Sequence, residues 1–160
     1  MRPLRGDWIA QLQDTVLDLE SGRAPDAPAR VVLAADSLGC HLVAAWAAHS
    51  QLGHRIRGAL LVAPCDPQRD ELAGLLGSWS QMALQPLHWP AVLLASQQDP
   101  HCSTARARQF ADAWGAQFVD GSDARHRHRD RGLGVWPEAR ARLLALCQGD
   151  ASVIWNPTDG

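Results

Sequence analysis

The sequence predicts an α/β fold, a three-layer sandwich built on a mostly parallel sheet. Two observations carry this. Short apolar runs of strand length, "VVLAA" (31–35), "GALLVAP" (58–64) and "AVLLAS" (91–96), each end at a polar turn, and continuous rather than alternating apolarity marks strands covered on both faces. Between and after them lie stretches with apolar residues at helical spacing, 38–49, 103–114 and 137–147, and such alternation belongs to layered α/β domains.

In chain order, Asp7 is expected to cap a first helix whose apolar residues Ile9, Leu12, Val16, Leu17 and Leu19 recur near a 3.6 period. "SGRAPDAPAR" (21–30), with prolines at 25 and 28, ends it. The first strand follows, then the helix from Leu38, the second strand, and a segment from Asp66 to Leu87 that reads as a short helix and a loop over the sheet. After the third strand, Ser103 caps the next helix. A weaker fourth strand, "AQFVD" (116–120), precedes the last helix. Residues 1–147 make one domain, and 148–160 form a tail with a single apolar anchor.

The totals narrow the function classes. A chain of 160 residues that is 46% hydrophobic can bury a core without disulfides or metals. With 15 basic against 17 acidic residues the net charge is −2, which gives no global attraction to nucleic acid or an anionic membrane. No 18-residue apolar run is long enough to span a bilayer, and the first residues lack the apolar core of a signal peptide. A cytoplasmic address is the expectation. Cys40, Cys65, Cys102 and Cys147 form no CxxC pair, which argues against zinc and a disulfide framework. The expected state is four free, mostly buried thiols, with no metal and no cofactor.

The chemistry is expected beyond the carboxyl ends of the strands. There the sequence places Asp36-Ser37, Pro64-Cys65-Asp66, Gln97-Gln98-Asp99-Pro100 and Asp120. A serine becomes a nucleophile when a histidine takes its proton and a carboxylate fixes that imidazole. Ser37, Asp99 and His126 occur in the order Ser, Asp, His, each after a predicted strand, with Leu38 offering its amide to a developing oxyanion. Gly39 would let the helix approach the strand closely. Each residue also has a plainer reading. Ser37 could be an ordinary helix cap and Asp99 a turn residue. Asp36, Asp66 and Asp120 compete for the acid role, and His128 competes with His126 inside the basic run "RHRHRDR" (125–131). His41, His49, His54, His88 and His101 read as surface or packing residues.

With these residues placed, the chain resembles the small serine hydrolases typified by retinoblastoma-binding protein nine and the bacterial YdeN-like proteins. The matching blocks are "SLGCHLVAAWA" (37–47), "GALLVAP", "QPLHWPAVLLASQQDPHCS" (85–103), "ADAWGAQFVD" (111–120) and "GLGVWPEA" (132–139), in one order from Asp7 to Leu146. The resemblance implies an α/β-hydrolase-like domain without metal or organic cofactor. Its nucleophile falls on Ser37, its acid on Asp99 and its base on His126. Its substrate would be a small carboxylic ester or amide, with no nucleic-acid or membrane partner. Three departures stand out: Asp36 immediately before the serine, Arg125 and Arg127 flanking His126, and the expectation that the family's first strand and its Gly-rich loop precede Met1. Without that unit the strand bearing Ser37 would be a sheet edge, which leaves a weakly active or inactive module with a protein partner as the alternative.

Overall fold

The computed structural model describes residues 3–121 and 137–149. Its elements are helix α1 (Arg5–Glu20), strand β1 (Val31–Asp36), α2 (Leu38–Ala47), β2 (Ile56–Val62), a one-turn helix α3 (Asp70–Ala73), β3 (Ala91–Ala95), α4 (Thr104–Trp114), β4 (Gln117–Asp120) and α5 (Pro137–Gln148). The four strands lie in the order β1-β2-β3-β4, all parallel. Parallel neighbours need crossovers, and the helices between successive strands supply them.

Side chains alternate across the sheet. Ala59, Leu61, Ala91, Leu93 and Ala95 face the larger core, with Val16 of α1, Cys40, Val43 and Trp46 of α2, and Phe110 and Trp114 of α4. Leu60, Val92 and Leu94 face Leu146 of α5 on the other side. The central strands β2 and β3 are therefore covered on both faces, as continuous apolarity requires. The outer strands are not. Along β1 the exposed Ala34 follows the buried Leu33, and β4 is half-buried. Among the described strands β1 is an edge, as expected for the strand before Ser37.

Two expectations for α1 fail. Leu4 occupies the cap position without a side-chain bond, and Asp7 sits in the first helical turn, where a carboxylate favours the helix dipole instead of capping it. Leu17 and Leu19 are exposed, whereas Val16 is buried and Ile9 and Leu12 are partly so. The inward stripe of α1 is thus narrower than its leucines suggest. Ser103 does cap α4, accepting from the Arg106 amide at 3.2 Å, and Gly115 ends that helix in the left-handed region at φ 65°.

The loop between α1 and β1 is pinned by Glu20, which pairs with Arg23 (2.9 Å), Arg30 (3.1 Å) and Arg55 (3.6 Å). Burial acts to raise its carboxyl, but the Arg30 hydrogen bond and the three guanidinium charges outweigh it and hold the group below its ordinary value. A depressed carboxylate stabilises the fold above its unfolded-state value, and loses that effect as pH falls through the folded one. Glu20→Gln should therefore lower the melting temperature at neutral pH, and the gap to wild type should close as the pH drops below the ordinary carboxylate range.

Helix α5 sits so close to β2 that a Cβ on Gly58 would stand 2.6 Å from Leu146 Cδ2 and 3.1 Å from the Pro90 carbonyl oxygen. Gly58→Ala should destabilise the chain by about 1–3 kcal/mol in denaturant unfolding, and Leu146→Ala in the same chain should recover part of that loss.

Candidate functional site

The carboxyl ends of all four strands lie on one edge, since Asp36 pairs with Val62, Val62 with Leu94, and Ala95 with Asp120. On this edge stands Ser37, between β1 and α2. Its backbone has φ 54° and ψ −118°, and its side chain makes no capping bond to α2. The ordinary cap reading of Ser37 is excluded, because a capping serine is extended and accepts from the second or third helical amide. A left-handed serine costs about 1–3 kcal/mol and persists where its surroundings over-determine it. Here the Ser37 amide donates to the Val62 carbonyl at 2.9 Å, continuing the β1–β2 ladder, while the Cys40 amide donates to the Ser37 carbonyl at 3.2 Å. The residue is locked from both sides.

The first amides of α2, Leu38 and Gly39, have no preceding helical carbonyl to receive them. Such amides can donate to an anion at the start of a helix. A Cβ on Gly39 would stand 3.4 Å from the Ala35 Cβ, an ordinary van der Waals contact, so the crossing of strand and helix does not by itself require a glycine there. Asp36 is exposed at the strand end.

The second strand repeats the manoeuvre. Ala63 has φ 47° and donates to the Leu94 carbonyl at 2.7 Å. This turn brings the buried Cys65 into an apolar cluster with Leu38 and Leu42 of α2. Burial pushes the Cys65 thiol up, against the opposing pull of a hydrogen bond with the Ser37 hydroxyl, while the charges of Asp66 and Asp99 push it further up. Cys65 packs with the first turn of α2, whose Leu38 follows the serine. Sequence reading gave it no role, although its place at the end of a strand was a signal.

Asp99 is half-buried in the turn after β3, its amide bonded to the Ser96 carbonyl (3.2 Å) and its Oδ1 accepting from the His101 amide (2.9 Å). Its rivals are engaged as well. Asp66 accepts from Arg106 Nε at 3.1 Å and from the Gln68 amide, and Asp120 accepts from Gln97 at 2.9 Å. The loops after β2 and β3 are tied together by the Asp66 amide on the His101 carbonyl (3.0 Å) and Arg69 on the Pro100 carbonyl (2.7 Å). The structure therefore places Ser37, Leu38 and Asp99 on one edge. His126, its rival His128 and the flanking arginines lie outside the described residues.

The other histidines divide as surface and packing residues do. His49, His54, His88 and His101 are exposed, and His41 is buried. Burial lowers His41 to about 4, so it is neutral at physiological pH. Among the described residues no group of His, Cys, Asp or Glu is arranged to hold a metal, and no helix is long and apolar enough to cross a membrane.

The four cysteines are free, with Cys40, Cys65 and Cys102 buried and Cys147 exposed. Burial raises all three interior thiols, Cys102 to about 12. Thiolate is the species that alkylates. Iodoacetamide at neutral pH should therefore add a single carbamidomethyl group to the native chain, lost in Cys147→Ser, and should reach the rest after denaturation. Modification of Cys65 in the native chain would show that the edge around Ser37 opens.

A serine hydrolase family model matches residues 1–145. Among solved structures, the chain is similar to a YdeN-like hydrolase from Pectobacterium atrosepticum, with 26% identity, a TM-score of 0.64, and coverage of 96% of this chain and 73% of that one. A carboxylesterase from Bacillus cereus matches at 18% identity and TM-score 0.49, over 88% of this chain and 59% of that one. The type II thioesterase BorB from the borrelidin biosynthetic cluster matches at 17% and 0.48, over 92% and 72%. No curated protein matches.

Proposed function

The chain belongs to the serine hydrolase family, and from that premise we propose that it cleaves a small carboxylic ester or amide through Ser37, His126 and Asp99. The Ser37 oxygen attacks the carbonyl carbon while His126 accepts the hydroxyl proton. The Leu38 amide donates to the oxyanion of the tetrahedral intermediate. Collapse of that intermediate breaks the bond to the leaving group, which takes the proton from His126 and leaves Ser37 acylated. Water, deprotonated by the same imidazole, then releases the acid and restores the serine. Asp99 holds the ring in the tautomer that this cycle requires.

The observation that carries the reading is the backbone at Ser37. A left-handed, non-capping serine between a parallel strand and a helix is the geometry of a nucleophile elbow, and nothing in packing alone asks for a non-glycine residue there. Asp99 is favoured as the acid by its place in the turn after β3, half-buried with its Oδ1 oriented by the His101 amide, and by the order Ser, Asp, His. The ester or amide preference takes its support from the family membership and from the acyl chemistry of a serine nucleophile.

Intact-mass detection of fluorophosphonate labelling tests the reading. One adduct is expected on wild type and none on Ser37→Ala or His126→Ala, with ester hydrolysis down at least about 10³-fold in both. An adduct that survives on Ser37→Ala sinks the assignment. Ser37→Gly separates function from fold: it should be inactive and yet more stable than wild type by about 1 kcal/mol, through relief of the left-handed backbone.

A further inference from the structure

His41 takes no part in the steps above, yet it is built into the site. It stands one helical turn after Ser37 on α2, 3% exposed, with its ring edge-on to Phe110 (centroids 4.9 Å apart) and Trp114 (5.3 Å). A phenylalanine would suit that apolar slot without an orphaned nitrogen. The chain instead carries an imidazole whose Nδ1 has no partner among the described residues and whose Nε2 lies 2.7 Å from the Cys65 carbonyl oxygen. A carbonyl oxygen only accepts, so Nε2 bears the hydrogen of the neutral ring.

The carbonyl that it holds belongs to the residue that clusters with Leu38, the residue next to Ser37 at the start of α2. The next residue, Asp66, ties the same peptide segment to Arg106 on α4 and to the His101 carbonyl, two positions after Asp99. The Cys65 peptide is therefore where the helix that follows Ser37, the loop after β2 and the loop bearing Asp99 are joined.

From this geometry we infer that His41 is a positioning residue for the proposed reaction: its hydrogen bond to the Cys65 carbonyl sets the Ser37 hydroxyl relative to the loop that carries Asp99. The inference rests on the hydrolase reading above. A filler would leave turnover unchanged on replacement by another ring, whereas a positioning residue would not.

The test compares ester hydrolysis and fluorophosphonate labelling in wild type, His41→Phe and His41→Gln. Phenylalanine keeps the ring packing and removes the donor, and glutamine returns an N–H at similar reach. In His41→Phe, kcat should fall roughly ten- to a hundredfold, KM should stay within about twofold and labelling should slow in parallel, while His41→Gln recovers most of both losses. The inference is overturned by a His41→Phe kcat within about twofold of wild type, by a change confined to KM, or by a glutamine variant no better than the phenylalanine one. Should His41→Phe not fold, wild type decides: the His41 Nε2–H resonance should shift when Ser37 is labelled, and an unchanged resonance overturns the inference. A folded wild type that neither hydrolyses esters nor takes label removes the hydrolase reading itself, a different outcome from any of these.

Discussion

The left-handed backbone at Ser37 is the constraint on which the rest of the site depends. It holds because rigid elements grip it from both sides. Its amide ends the β1–β2 ladder on the Val62 carbonyl, and α2 begins at the next residue with Cys40, Val43, Ala44 and Trp46 buried. Relaxing φ to an ordinary value would swing α2 off the sheet or pull β1 out of register. Either movement exposes apolar area worth about 25 cal/mol per Å², so the penalty of the turn is borne by the packing. A serine hydroxyl that is neither a cap nor a buried core group is what remains at the apex.

The parallel sheet turns that single apex into a site. Because every strand ends on the same edge, residues far apart in sequence emerge side by side. Ala63 repeats the left-handed exit one strand over and returns Cys65 to the start of α2, against Leu38. The third strand delivers Asp99, and bonds from Asp66 and Arg69 to the His101 and Pro100 carbonyls keep the second and third loops in step. Neutral thiols suit this neighbourhood. A thiolate at Cys65 would be an unpaired buried charge beside two carboxylates.

Much of this was legible in the sequence because the signals were local. The four strands and the helices after Leu38, Ser103 and Pro137 follow from apolar run length and spacing, and Ser103 caps α4 as its type suggests. The errors arose where a tertiary contact overrode a local pattern. Leu17 and Leu19 fit a helical stripe, but α1 turns only Val16 and its partners inward. Ser37 was ambiguous for a deeper reason: a cap and an elbow differ in φ, which side-chain chemistry does not encode. His41 reads as one histidine among several until the fold sets it against the Cys65 carbonyl. For His126 the order Ser, Asp, His and the family resemblance remain the argument.

The carboxylates on this edge, among them the proposed acid, differ in what each already does. Asp36 stands exposed at the end of β1, where solvent screens its charge. Asp66 neutralises Arg106 while accepting the Gln68 amide, so recruiting it to an imidazole would leave a guanidinium behind without its partner. Asp120 accepts a neutral amide from Gln97, a weaker claim on its charge. Asp99, like Asp66, has its Oδ1 fixed by an amide two residues on, within its own turn. A carboxylate oriented by its own backbone needs no reorganisation when an imidazolium forms beside it. That preorganisation is the property the proposed acid requires, and it gives the Ser96–Ser103 turn as large a part in the proposed reaction as the left-handed backbone at Ser37.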